Sequence, residues 1–66
     1  MTVSFNDTPL NCSAGMSLEK LLTEQSLLHK RIAVAVNGNL IKRDLWGELI
    51  LTEGADVVVI EATYGG

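Results

Sequence analysis

Val57-Val58-Val59-Ile60-Glu61-Ala62 is the stretch on which the fold turns. Four successive β-branched side chains favour extended backbone. A near-continuous apolar run, unlike an alternating one, is the pattern of a strand buried in mid-sheet. Glu53-Gly54-Ala55-Asp56 supplies the turn before it, so other strands must lie on both of its edges. Two hairpins are available. Ile32 to Val36 is β-branched and alanine-rich, and Asn37-Gly38 follows it with two residues that accept the positive φ of a type I′ turn. Leu40 and Ile41 make the short return strand. Arg43 to Ile50 then reads as an irregular or 3₁₀ connection carrying Trp46, with a short strand expected at Leu49 to Leu51.

The second hairpin opens the chain. Val3 and Phe5 alternate with Thr2, Ser4 and Asn6, Asp7-Thr8-Pro9 has turn chemistry, and Leu10 and Cys12 alternate with Asn11. Gly15 breaks this run. Ser17 is a good N-cap, with Met16 and Leu21 at the N′ and N4 positions of a hydrophobic staple. Leu18, Leu21, Leu22 and Leu28 form an apolar stripe opposite Glu19, Lys20 and Glu24, which predicts one amphipathic helix from Leu18 to Leu27.

The element order is therefore ββαββ(β), an α+β chain without linker or repeat. A single helix between two hairpins must cross one face, and a right-handed crossover brings the last strand parallel to the first at the centre. That is the β-grasp (ubiquitin-like) arrangement: a mixed four- to five-stranded sheet with one helix across one face. Residues 1–62 are expected to form this domain and residues 63–66 a flexible C-terminal diglycine tail, reaching at most about 14 Å when extended.

Composition narrows the function. Sixty-six residues form one domain, and one this small buries only about 60% of its unfolded surface. Hydrophobic residues at 47% against 20% charged make a globular chain. A single cysteine excludes an internal disulfide framework, and no apolar run reaches membrane-spanning length. Residues 1–6 lack the basic-then-apolar pattern of a secretory signal, so a cytoplasmic protein without membrane attachment is expected. Net charge is −3, with the basic residues mostly at Lys30-Arg31 and Lys42-Arg43. A sequence-independent nucleic-acid binder needs a basic stripe and stacking aromatics, and this chain has neither.

The last residues are Gly65-Gly66. With Gly at about 7% of average composition, two glycines at a fixed place arise by chance in about one chain in two hundred. A diglycine carboxylate is an unhindered acyl group that fits a narrow channel; a frayed end is the plainer reading. A C-terminal carboxylate, with a pKa of about 3.5, is ionised at pH 7 and a poor electrophile until a leaving group is attached. Ordering two glycines costs about 1–2 kcal/mol each with almost no side-chain contact in return, so a folded body must supply the binding.

The residues together resemble the ThiS family, the sulfur carriers of thiamine biosynthesis. The resemblance runs through Phe5-Asn6, Gly15 before a leucine-rich helix, Ala33-Val34-Ala35-Val36-Asn37-Gly38, Arg43 with Trp46, Gly54 before the last strand, and Gly65-Gly66. It implies that a ubiquitin-activating-like adenylyltransferase uses ATP to adenylate Gly66, that a persulfide donor supplies sulfur to make a thiocarboxylate, and that thiazole synthase accepts the sulfur. The chain itself would be a co-substrate, not an enzyme, and would bind no cofactor. Lys42, Ala55 and Tyr64 depart from the family pattern, where Pro, an acidic residue and a small or aliphatic residue are common. Tyr64 and Gly65 would be read during tail recognition. Docking is expected on the sheet face away from the helix. The family often has a polar residue at the position of Val58, which favours Val58 and Ile60 as the outward pair over Val57 and Val59.

Other residues read as structural. Cys12 beside Leu10 is expected to pack; His29 lacks a second ligand at metal spacing and is expected at the helix end. Trp46 reads as a lid on the core. Glu53 and Asp56 read as solvated turn acids, and Arg43 is open between contacting a partner and capping a local carbonyl. Three alternatives to the sulfur carrier share a tail of this kind: the small subunit of molybdopterin synthase, a ubiquitin-like protein modifier, and an interaction module with an idle terminus. The short chain, Arg43 with Trp46, and the absence of proline before the diglycine weigh against the first.

Overall fold

The computed structural model describes residues 1–61. Its elements are β1 (Thr2–Phe5), β2 (Thr8–Asn11), α1 (Leu18–Glu24), β3 (Ile32–Val36), β4 (Asn39–Ile41), a 3₁₀ turn (Arg43–Leu45) and β5 (Asp56–Glu61). The five strands lie in the order β2-β1-β5-β3-β4. β5 is central, parallel to β1 and antiparallel to β3, and both hairpins are antiparallel. This is the β-grasp arrangement that the element order implies.

Register explains the core. Residues directly opposite one another share a face, so Phe5, Val57 and Val36 form one inward row and Val59, Val34 and Ile41 the next. Leu18, Leu21 and Leu22 of α1 are buried with Val3, Val34, Val36 and Val57, and Trp46, Leu51, Ala55 and Cys12 complete the cluster. Fully burying one such aliphatic side chain contributes about 1.5–3 kcal/mol. In a domain this size, losing one or two approaches the whole net stability.

The helix begins as its sequence dictates. Ser17 Oγ accepts from the Lys20 N–H at 3.1 Å, while the Leu18 and Glu19 N–H groups donate to the carbonyls of Leu49 and Trp46. The free donors of the first turn are thus taken by the 46–51 segment. That segment makes only an isolated bridge, Ser17 to Ile50, in place of the short strand expected at Leu49 to Leu51, because it runs along the helix start and not along a sheet edge.

Two further boundaries differ from the sequence reading. The helix stops at Glu24, not Leu27. Ser26 takes φ 60°, its N–H donates to Thr23 O, and Leu27 N–H donates back to Leu22 O at 2.9 Å. This is a Schellman motif with serine where glycine is usual, and it leaves His29 in a later turn, away from the helix end. The first hairpin turns at Asn6-Asp7, with φ 48° and 67°, and not at Asp7-Thr8-Pro9. Pro9 lies within β2 opposite Ser4, where an edge strand tolerates its missing donor. The second hairpin turns at Asn37-Gly38 as read, with φ 53° and 83°. Asn37 also holds β5: its N–H donates to Asp56 O at 2.8 Å, and its Oδ1 accepts from Asp56 N–H at 2.9 Å.

Candidate functional site

The face of the sheet away from α1 carries the candidate docking surface. Val58 is opposite Ala35, which is opposite Leu40, and Ile60 is opposite Ala33. These five residues therefore share the outer face. Val58 is 36% exposed, Ile60 64% and Leu40 74%, whereas Val57 is fully buried. The outward pair is thus Val58 and Ile60. Leu40 belongs with them, although it reads in the sequence only as part of a return strand; its parity follows from the two-residue turn, which sets Val36 opposite Asn39.

β5 carries Val58 and Ile60 and leads toward Tyr64, Gly65 and Gly66, which lie outside the described residues, as does the proposed boundary between residues 62 and 63. The end of β5 is tied to the connection between α1 and β3 by Lys30 Nζ and a Glu61 carboxylate oxygen 3.4 Å apart, both about half exposed. An exposed pair of this kind contributes little energy; it marks where the strand end lies relative to residues 28–31.

Arg43 organises that connection. Its guanidinium donates to Leu28 O and Lys30 O, each at 2.8 Å, and stacks over the Trp46 ring at 4.5 Å from the centroid. Trp46 is buried, and its Nε1–H donates to Ile41 O at 3.1 Å. Both residues are thus occupied within the fold: Arg43 caps local carbonyls, and Trp46 closes the core.

The remaining side chains with chemical potential are dispersed. Cys12 is buried against the core, following β2. Glu53 accepts the Thr2 N–H at 3.1 Å. Two shallow surface depressions, of about 230 and 290 Å³, are lined respectively by residues around Thr2, Pro9 and Gly54 and by Thr23, Ser26, Leu28 and His29. In neither is a hydroxyl hydrogen-bonded to a base among the described residues: Thr23 Oγ1 donates to Glu19 O at 2.8 Å and Thr2 Oγ1 to Asn11 Oδ1 at 3.3 Å. Among the described residues, no three His, Cys, Asp or Glu side chains come together at metal-binding distance. Among them, too, no helix is long and apolar enough to cross a membrane.

The model of the ThiS family matches residues 3–66, which includes Gly65-Gly66. The chain belongs to the ThiS family. It is 27% identical over 66 residues to the sulfur carrier protein ThiS of Escherichia coli (strain K12), covering all of both chains. It is also 29% identical over 66 residues to the uncharacterized protein ycf40 of Porphyra purpurea, covering all of this chain and 93% of that one. Among solved structures, the crystal structure of the thiamine biosynthesis protein ThiS from Geobacter metallireducens superposes with a TM-score of 0.85 at 19% identity, with both chains fully covered. A solution structure of a thiamine biosynthesis protein from the same organism gives 0.79, again at 19% identity, covering 88% of that chain. At this identity the structural likeness bears on the fold, a β-grasp. The family assignment rests on the sequence match, which extends from the opening strand through the diglycine.

Proposed function

We propose that the reacting group of this chain is the Gly66 carboxyl, loaded with sulfur by partner proteins and delivered for thiazole formation. As a ThiS-family member, the chain is a sulfur carrier of thiamine biosynthesis and not itself a catalyst. The observation that carries the finer reading is the strand that joins docking to chemistry. β5 presents Val58 and Ile60 on the uncovered face, and the diglycine included in the family match follows it in the sequence.

The chemistry follows from the inertness of a carboxylate. A Gly66 oxygen attacks the α-phosphorus of ATP bound by an adenylyltransferase, and pyrophosphate leaves. The terminal sulfur of a cysteine persulfide then displaces AMP, forming an acyl disulfide with the donor. A second thiol attacks the donor sulfur of that bond, which leaves a thiocarboxylate on Gly66 and a disulfide on the donor side. Thiazole synthase is the acceptor. The chain binds no cofactor of its own in this scheme, since ATP belongs to the partner. The reaction is placed in the cytoplasm, where persulfide donors meet reduced thiols.

The test is intact mass. Incubation with ATP, the adenylyltransferase and a persulfide source should yield a species in which one oxygen is replaced by sulfur, located by fragmentation at Gly66. That species should support thiazole formation by thiazole synthase and should not support molybdopterin formation with the large synthase subunit. An unchanged mass, or the opposite acceptor preference, overturns the assignment.

A further inference from the structure

Asn6 stands where β1 leaves the sheet. Pairing between the parallel strands ends with Phe5 opposite Val57, and the φ of 48° at Asn6 starts the turn. The Asn6 N–H still donates to Val57 O at 2.9 Å. In a continuing parallel ladder, the Val59 N–H would next donate to the backbone carbonyl of residue 6. Here the side-chain Oδ1 of Asn6 accepts that bond instead, at 2.8 Å. One residue thereby holds β5 on both sides of Val58. Beyond Val59, the described pairing of β5 is to β3 alone, Ile60 with Ala33 and Glu61 with Ile32.

We infer that Asn6 is a positioning residue for the reaction at Gly66, an inference that rests on the function proposed above. The docking residue Val58 and the base of the C-terminal segment are fixed relative to one another by its two bonds. When the segment lies extended in a partner's channel, seven residues at about 3.3 Å each act as a lever, and a misdirection of about 5° at Val59 moves the far end by about 2 Å. Misplacement of about 1 Å can cost a hundredfold in rate. A partner's channel corrects part of that error, so the expected loss is smaller and falls on turnover, since Val58, Ile60 and Leu40 remain available for docking.

Two variants isolate the side-chain acceptor. Asn6→Gly keeps the positive φ and removes Oδ1, whereas Asn6→Asp keeps an acceptor in place. With the full chain, ATP and the adenylyltransferase, pyrophosphate release should show kcat lowered about tenfold for Asn6→Gly with KM unchanged, and Asn6→Asp within about twofold of the parent. Amide exchange at Val59 should accelerate in Asn6→Gly and not in Asn6→Asp. A loss of folded protein alone would reduce the active fraction and leave the Val59 amide no more exchangeable than its neighbours. Parental kcat in Asn6→Gly, a rise in KM alone, or an Asp variant as impaired as the Gly variant overturns the inference and leaves the function standing. Absence of pyrophosphate release with the parent chain removes both.

Discussion

Arg43 shows how much one side chain can decide in a domain of this size. A guanidinium is planar and presents parallel donors, so a single Arg43 can reach two carbonyls, Leu28 O and Lys30 O, while its face lies on Trp46. Lysine has a compact ammonium with no flat face and cannot meet both requirements. Arg43→Lys should therefore lower stability by about 1 kcal/mol, the net worth of one charge-assisted bond at a partly solvated site. In a domain of this length that corresponds to a thermal midpoint lower by about 4–8 °C. Sulfur loading of the folded variant should be unchanged, because the Arg43 guanidinium is engaged with Leu28 O, Lys30 O and the buried Trp46, whereas Val58, Ile60 and Leu40 lie on the outer sheet face. A midpoint equal to the parent's would show that the two carbonyls are as well served by water.

At the scale of elements, the end of α1 departs furthest from its sequence. Ser26 occupies a left-handed position that costs a non-glycine residue about 1–2 kcal/mol. Ser26→Gly should remove that cost, less the greater freedom of glycine in the unfolded chain, for a net gain of about 0.5–1 kcal/mol. Urea denaturation should show a higher midpoint at constant slope; a lower midpoint would mean that the serine side chain stabilises the motif. The same feature explains why the boundary is hard to read. Without glycine there is no stop signal, and Leu27 and Leu28 remain partly buried after the helix ends, so the apolar periodicity outlasts the helix. Asn6-Asp7 likewise turns without glycine, while Pro9 beside it looks like the turn. By contrast, Ser17, Asn37-Gly38 and the run from Val57 are legible because each has one dominant physical meaning: a cap, a type I′ turn, a central strand. The outer face was only half legible. Four consecutive apolar residues in β5 carry no parity of their own, and the β3–β5 register that settles it is a tertiary fact.

At the scale of the whole molecule, the proposal puts docking on the outer sheet face and chemistry at Gly66, and on that reading the two should fail separately. Ile60→Asp places a charge on the uncovered face at a residue already 64% exposed, so the fold should persist. The KM for adenylation should rise about tenfold or more, as expected when an apolar anchor becomes a desolvated charge, while kcat changes little. Unchanged KM would move the docking surface elsewhere.

Changes at Gly66 should give the opposite pattern. The buried residues described run from Val3 to Val57, and chain termini tolerate change, so adding one alanine after Gly66 should leave the thermal midpoint nearly unchanged. Docking through Val58 and Ile60 should also persist. Loading should nevertheless collapse, because the added residue puts a Cβ beside the reacting carboxyl and moves that carboxyl by up to about 3.5 Å, many times the tolerance of an in-line attack. Deleting Gly66 withdraws the carboxyl by a similar distance and should act alike, and Gly65→Val should do so by restricting the backbone angles the segment can take in a narrow channel. Each variant should then bind the adenylyltransferase unproductively and inhibit loading of the parent chain competitively, with an inhibition constant near the parent's KM. Normal thiocarboxylation of the alanine-extended chain, with its intact mass showing the alanine still in place, would refute the assignment of the reaction to Gly66.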